Sequence, residues 1–453
     1  MSQEKLLRCK WMSQSILVFA TVCALVCQIA NAQSSKVETF SLRQEVADLI
    51  KQTIESNPQI RSQEASNRSA DADIETAKWQ FYPTPSLSVE RASTQGRDAT
   101  YANGAQVRYV RLQQPLYTWG RLTAGLSKAQ ARKIAALAAM DEAKQQMALK
   151  VVQAYTEWLT AWLRKQAFLD GYREHQKFED LIVRRIETGV SPKADLLLVQ
   201  SRQEQMRGDL LLATSQQDNA RVKLSQLLGR AIEDSELQTE FAIDPQLMLA
   251  RPTKNWLHRA ESASPSLVRL NAQVEVAQKE VEEKKSSMMP ELYVRAEYQS
   301  GSPYITTAPA DQTRIFVGFT SNIGAGLSGL SALNSGKAKY EAALEDVDAG
   351  RRNLQEQILS ELNSLASSSG RYSVLHTAEK FARELVGGGE RQFLAGRKSW
   401  QELMNTSREL VQAKVQLADV RASLFLSAWR LALQSEELNT VLQPRYFLEI
   451  TAQ

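Results

Sequence analysis

Pro58 and Pro265, Glu75 and Glu282, Pro83 and Pro290, and Gly189 and Gly396 are four matched pairs, each separated by 207 residues. Leucine matches arise by chance in helical sequence, but prolines and glycines at one offset across more than 130 residues mark an internal duplication. The chain is two copies of one unit. Leu196, Leu210 and Leu224 fall on Leu403, Leu417 and Leu431 at the same offset. The second set belongs to a longer ladder, Leu403, Leu410, Leu417, Leu424, Leu431 and Leu438, one leucine every seven residues. An undistorted helix drifts about 20° per heptad from such a repeat, so the pattern predicts helices that wrap left-handed around partners. A second track follows three residues later: Thr406, Ala413, Val420 and Ser427 in one copy, and Val199, Met206, Ala213, Ala220 and Leu227 in the other. The mostly small side chains of Thr406, Ala413, Val420 and Ser427 predict close helix packing.

Residues 1–32 read as a secretory signal peptide. Lys5, Arg8 and Lys10 form a basic start, Ile16 to Cys27 an apolar run too short for a comfortable span, and Ala30-Asn31-Ala32 a small-residue cleavage site. Val22 and Val26 precede Cys23 and Cys27, which argues against lipoprotein processing. All three cysteines lie in this segment, so the expected mature chain holds no disulfide and no thiolate metal site. Losing Glu4, Lys5, Arg8 and Lys10 lowers the formal net charge from +4 to +2, a balance that predicts no nucleic acid or other polyanionic partner. No mature stretch approaches the ~20 consecutive apolar residues of a membrane helix.

Each copy reads as helix, strand, strand, very long helix, turn, helix. In the first copy 41–80 is helical by pattern, interrupted at Pro58 and stopped by Phe81-Tyr82-Pro83-Thr84-Pro85. Strands are predicted at about 84–95 and 104–115, then at about 291–300 and 313–324. Leu292, Val294, Ala296 and Tyr298 alternate with Tyr293, Arg295, Glu297 and Gln299, giving one apolar and one polar face. About ten residues is the length of a tilted transmembrane strand. Four strands cannot close a barrel, so a membrane reading requires several copies to share one, and two soluble hairpins on a helix bundle is the alternative.

From Leu122 to Glu187 there is no proline, and a continuous helix of that length would be about 100 Å long. The second long helix, from Lys337 to Leu394, contains Gly387-Gly388-Gly389, read as a local kink or loosened turn. A phosphate loop is excluded there because Glu390-Arg391 follows instead of Lys and Ser or Thr. Both long helices end at glycine, in Gly189-Val190-Ser191-Pro192 and Gly396-Arg397-Lys398-Ser399, and Glu402 completes a capping box with Ser399. These are two helical hairpin tips. Trp79 and Trp119 lie at strand junctions where they suit a membrane interface or a packing role equally, while Trp158 and Trp162, at i and i+4, suit a helix interface.

The signal peptide, the duplicated unit, Tyr82-Pro83 before the first strand, the passage Pro115-Leu116-Tyr117-Thr118-Trp119-Gly120-Arg121, and the Gly396 to Glu402 tip followed by heptads resemble the TolC family of outer-membrane efflux proteins. The resemblance covers essentially the whole mature chain. It implies a mainly α fold with a small membrane β component: a homotrimer whose twelve strands, four per chain, form one outer-membrane barrel above a trimeric α-helical periplasmic barrel with a closed tip. In that frame residues 33–228 and 256–438 are the two repeats, 229–255 the equatorial linker and 439–453 a C-terminal tail. The family's constriction maps onto Asp195 and Glu402 as acids, Phe393 as the aromatic and Lys398 as the base, giving six carboxylates per trimer. Asn405 departs from the pattern, standing where the family often has another acid. Asp195 and Glu402 are equally placed to serve as helix-start residues. The turns Gly189-Val190-Ser191 and Gly396-Arg397-Lys398 are the expected docking tips for a periplasmic adaptor.

Such proteins conduct substrates without transforming them. His175, His258 and His376 are far apart in sequence, which suggests neither a metal cluster nor a Ser-His-Asp arrangement, so no enzyme and no cofactor is expected. The expected setting is the outer membrane with a long periplasmic extension, and the expected partners are outer-membrane lipid, an adaptor and an inner-membrane ABC transporter, with an RND pump as the alternative. Arg397 to Asn405 with Arg408-Glu409-Leu410 is similar to the branch that exports large adhesins, pointing to type I protein secretion. Small-molecule efflux is the alternative cargo. A periplasmic coiled-coil adaptor is the alternative class, disfavoured because adaptors have one hairpin and no duplicated strand pairs.

Overall fold

The computed structural model describes residues 44–91, 93, 104, 106–237, 245–302, 304, 311–321, 324 and 328–443. The predicted signal peptide, the tips of both strand loops and the end of the C-terminal tail lie outside them. The elements are α1 (Gln44–Ser56), α2 (Pro58–Trp79), β1 (Thr84–Arg91), β2 (Gln106–Tyr117), α3 (Arg121–Glu187), α4 (Lys193–Leu228), α5 (Pro245–Ala250), α6 (Thr253–Ala263), α7 (Pro265–Ser287), β3 (Glu291–Ser300), β4 (Asp311–Thr320), α8 (Ser328–Leu394), α9 (Trp400–Ser435) and α10 (Leu438–Val441). The duplication is present in the architecture. Helices α3 and α8 each have 67 residues, α4 and α9 each have 36, and every one of their boundaries recurs 207 positions on. Even the helix starts match: Asn57 and Ser264 each cap a helix whose first residue is a proline, satisfying amide groups left free in the first turn.

The four strands form one antiparallel sheet in the order β1-β2-β3-β4, with a bulge in β2 between Pro115 and Tyr117. The predicted boundaries shift by a few residues: β2 runs to Tyr117 rather than 115, and β4 starts at Asp311 and stops at Thr320. The sheet is inside-out. Ile315 and Phe319 are 74% and 75% exposed, and Leu87, Val89, Val110 and Leu112 share their face, while Glu297 on the opposite face is 8% exposed. Trp79, Tyr82, Tyr117 and Trp119 are exposed at the helix end of the strands, paired as Trp79 with Tyr82 and Tyr117 with Trp119. Amphipathic aromatics suit a membrane–water boundary.

Below the sheet the helices stand side by side. Nearest the strands the order is α2–α3–α7–α8, and nearest the tips it is α4–α3–α9–α8. Each long helix therefore changes neighbours along its length. The main core lies where the orders switch, around Trp158, Trp256 and Trp429, with Trp162 packed against it. On α9, Leu403, Leu410, Leu424 and Leu431 are buried and Leu417 is half-buried. Leu438 continues the spacing but not the helix, because α9 ends at Ser435. On α4 the second track is buried at Val199, Met206, Ala213 and Ala220, while the leucine track is half-buried at Leu196 and Leu210 and fully buried at Leu224. Close approach accounts for the burial of the second track near Met206: a Cβ on Gly171 of α3 would lie 2.7 Å from Val411 of α9 and 3.5 Å from Met206 of α4. Helix α8 runs unbroken through Gly387-Gly388-Gly389, so no loosened turn interrupts it there. The reason is packing: Gly389 is buried, and a Cβ there would lie 3.1 Å from Lys398 Nζ and 3.3 Å from Leu403.

The outer helices present unpartnered apolar side chains, Leu197, Leu211, Leu212 and Val222 on α4 and Val374, Phe381 and Leu385 on α8. Sheet and helix wall alike are open at both edges within one chain.

Candidate functional site

The two tips occupy equivalent places in the repeat. Gly189 and Gly396 have φ of 73° and 72°, the left-handed region that favours glycine, and each donates its N–H back to the preceding helix, to Ile186 O at 2.9 Å and Phe393 O at 3.0 Å. Val190 and Arg397 donate to Arg185 O and Gln392 O, closing the turns. Both turns are exposed or half-exposed.

Asp195 and Glu402 are repeat partners, each the third residue of its returning helix. Their surroundings differ. Glu402 Oε2 accepts from the Ser399 N–H and from Ser399 Oγ, both at 3.0 Å, while Ser399 Oγ accepts from the Glu402 N–H. Those hydrogen bonds hold its carboxyl below the ordinary glutamate range. The first copy has Pro192 at the corresponding cap position, with no side-chain oxygen, so Asp195 has no capping box. Partial burial raises the Asp195 carboxyl, opposed by the Arg185 guanidinium. Lys398 folds back along its own hairpin, with Nζ 3.4 Å from Thr406 Oγ1. Asn405 is half-buried one turn beyond Glu402.

Phe393 is drawn into a cluster that sequence reasoning missed. Trp400, at the first position of α9 and 4% exposed, packs edge-on to Phe178 of α3 at 6.0 Å and against Phe393 of α8 at 5.1 Å. Its indole Nε1–H donates to the Asp195 carbonyl of α4 at 3.0 Å. The Arg185 guanidinium covers the Phe393 ring at 4.7 Å. Side chains of all four lower helices, including Ile182, Val199, Val386 and Leu403, close this cluster. Trp400 thus joins one hairpin to the other. The available signal was that Trp400 alone among the eight tryptophans stands at a tip.

His175 borders the cluster, edge-on to Phe178 at 6.1 Å, with Nδ1 2.8 Å from Gly171 O. Burial pushes its pKa below the ordinary value, while the Gly171 bond and Glu174 pull it up and Arg202 pushes it down. A lowered folded-state pKa means that below about pH 6.5 the unfolded chain takes up the proton more readily than the folded one. Tip stability is therefore full above that pH and lost as pH falls through it. Cooling of the melting transition between pH 7.5 and 5.5 should be smaller in His175→Asn, measured by circular dichroism at each pH.

Among the described residues no group of His, Cys, Asp and Glu could hold a metal, and no helix is long and apolar enough to cross a membrane. The model of the outer membrane efflux protein family matches residues 49–230 and 256–433, one match for each copy of the unit. The chain belongs to the outer membrane efflux protein family. It is similar to the alkaline protease secretion protein AprF of Pseudomonas aeruginosa, 24% identical over 329 residues that span 71% of this chain and 68% of AprF. It is also similar to the outer membrane protein TolC of Vibrio cholerae, 21% identical over 408 residues, 85% of this chain and 89% of TolC. The crystal structure of VceC from Vibrio cholerae superposes with a TM-score of 0.74 at 15% identity, covering 87% of this chain and 96% of that one. The fold is that of the channels: the open sheet and open helix wall are one third of a trimeric barrel, with the strands in the outer membrane and the helices in the periplasm. Its function is export through the outer membrane, not catalysis.

Proposed function

We propose that the chain is the outer-membrane duct of a type I protein secretion machine, receiving polypeptide from an inner-membrane ABC transporter through a periplasmic adaptor. The observation that carries this reading is the likeness to AprF, a protein named for protease secretion, over about two thirds of both chains. The tip residues from Arg397 to Asn405 lean the same way by their similarity to the adhesin-exporting branch. The N-terminal segment up to Ala32 is taken as the signal peptide that directs the chain to the periplasm. A deletion strain compared with its parent by quantitative mass spectrometry of extracellular and surface protein should lose one or a few very large proteins. An unchanged profile with increased drug sensitivity would move the duct to small-molecule efflux with an RND pump.

In this duct the hairpin tips are the gate. Asp195 is the stronger candidate for pore charge because its carboxylate is not used as a cap, whereas Glu402 is held by Ser399. The turns Gly189 to Ser191 and Gly396 to Lys398 are the adaptor-docking surfaces. Potassium preference of the purified trimer in planar bilayers should fall more in Asp195→Asn than in Glu402→Gln. Equal preference in all three proteins would remove both carboxylates from the gate.

A further inference from the structure

The polar face of the sheet carries an uneven set of charges. Arg111 of β2, Glu297 of β3 and Arg314 of β4 are register partners in one row, and Ser86 of β1 completes it. Arg295 lies one inward-facing row nearer the helices, between Gln113 and Phe316. One glutamate thus stands among three arginines. Arg111 Nε donates to Glu297 Oε2 at 2.7 Å, and Arg314 Nη1 donates to Gln299 Oε1 at 3.2 Å, a neutral partner. Arg295 Nε is buried without a hydrogen-bond partner, 4.0 Å from Glu297, and its guanidinium lies 4.7 Å from the centre of the Phe316 ring. Of the other acids on this face of the described strands, Glu291 at the base is paired with Arg121 at 2.5 Å, and Glu90 lies two rows nearer the loops.

Closing three copies into one barrel turns these two rows into a belt. Nine guanidinium groups and three carboxylates then share a lumen walled by apolar strands, because each chain brings Arg111, Arg295, Arg314 and Glu297. Low-dielectric walls focus such a field into the pore instead of dispersing it into solvent. The gate proposed above rests instead on carboxylates, Asp195 and Glu402.

We propose that the arginine belt is a carboxylate-selecting filter in the membrane barrel, through which acidic stretches of an extended polypeptide pass, so that the duct has a cation-preferring tip and an anion-preferring exit. The proposal rests on the duct reading above and adds to it a preference in cargo. Guanidinium groups suit this task because they stay charged at any physiological pH and bind carboxylates bidentately, while Glu297 is hydrogen-bonded to Arg111 alone of the three.

The test uses purified trimers in planar bilayers under a tenfold KCl gradient, in the Asp195→Asn, Glu402→Gln background so that the tip no longer sets selectivity. A belt potential of about one kT raises the chloride-to-potassium ratio about sevenfold, and that preference is expected. Arg111→Gln, Arg295→Gln and Arg314→Gln together leave Glu297 in the belt and should invert it. The three lysine replacements should retain it, and Glu297→Gln should increase it. Chloride preference unchanged by the three glutamines overturns the filter while leaving the duct standing, and an unmodified trimer that forms no channels overturns both. On the barrel side, an acidic ten-residue peptide should block the current at far lower carboxylate concentration than succinate. Equal block by succinate would assign the belt to small organic acids and overturn the polypeptide preference.

Discussion

Trp400→Ala is expected to unlock the gate proposed at the tip, raising single-channel conductance in planar bilayers several-fold. Trp400, on α9, touches α3 and α8 through aromatic contacts and α4 through a hydrogen bond. Truncating a buried tryptophan to alanine costs about 3–5 kcal/mol, from lost burial and the cavity left behind. Only the part of that energy lost on opening shifts the gate, since a contact kept equally in both states moves no equilibrium. Even about 1.4 kcal/mol per chain is a tenfold shift. Trp400→Phe separates the two contributions: it keeps the ring against Phe178 and Phe393 but removes the donor to the Asp195 carbonyl, a bond worth about 1 kcal/mol. Its conductance should lie between the parent and the alanine variant. Trp400→Ala channels with parental conductance and a folded, trimeric protein would show that the cluster does not hold the gate.

The second large effect is expected at Ile315, which sits midway along β4 on the exposed apolar face, in the row of Leu112 and Ala296. A lysine at the lipid-facing midplane of a membrane barrel costs about 2–4 kcal/mol, falling to about 0–1 kcal/mol near the interface. Three copies share one barrel, so Ile315→Lys carries that cost three times. Trimer recovered from outer-membrane fractions should fall at least tenfold, whereas Thr313→Lys, two residues nearer the loop, should be far milder. On a sheet facing water, both substitutions would be nearly silent, because exposed polar replacements stay within about 0.5 kcal/mol.

Much of this architecture was legible because its devices are local and repeated. The 207-residue offset, the proline-started helices and the glycine-ended hairpins each impose a backbone conformation that few other residues tolerate, so they stand out in one sequence. The alternation in β3 gave the two faces, but which face is covered depends on what surrounds the sheet, and that is not a local property. The unbroken helix through Gly387-Gly388-Gly389, where a loosened turn was the alternative to a kink, has the same kind of cause. Isolated helix propensity disfavours three glycines, yet Gly389 gives up its side chain so that Lys398 and Leu403 can lie against α8. Trp400 was hidden because its significance comes from Phe178 and Asp195, each more than 200 residues away in the chain. The heptads on α9 predicted a leucine seam correctly, whereas on α4 the neighbouring track is buried along most of the helix and the leucine track is fully buried only at Leu224, a choice set by which helix lies alongside.

The equal lengths of α3 and α8, and of α4 and α9, make the duct a ruler with a fixed graduation. Deleting one residue from a single long helix would turn everything beyond it by about 100° and lift that tip by about 1.5 Å out of level with its neighbours. Seven residues removed from one helix would restore the facing of its seam but leave its hairpin lopsided by about 10 Å. Only matched heptads taken from all four helices at the same height shorten the tube while keeping every seam and every tip in step. The distance the duct reaches across the periplasm is therefore adjustable in steps of about 10 Å, and a machine built around it must change its other parts by the same step.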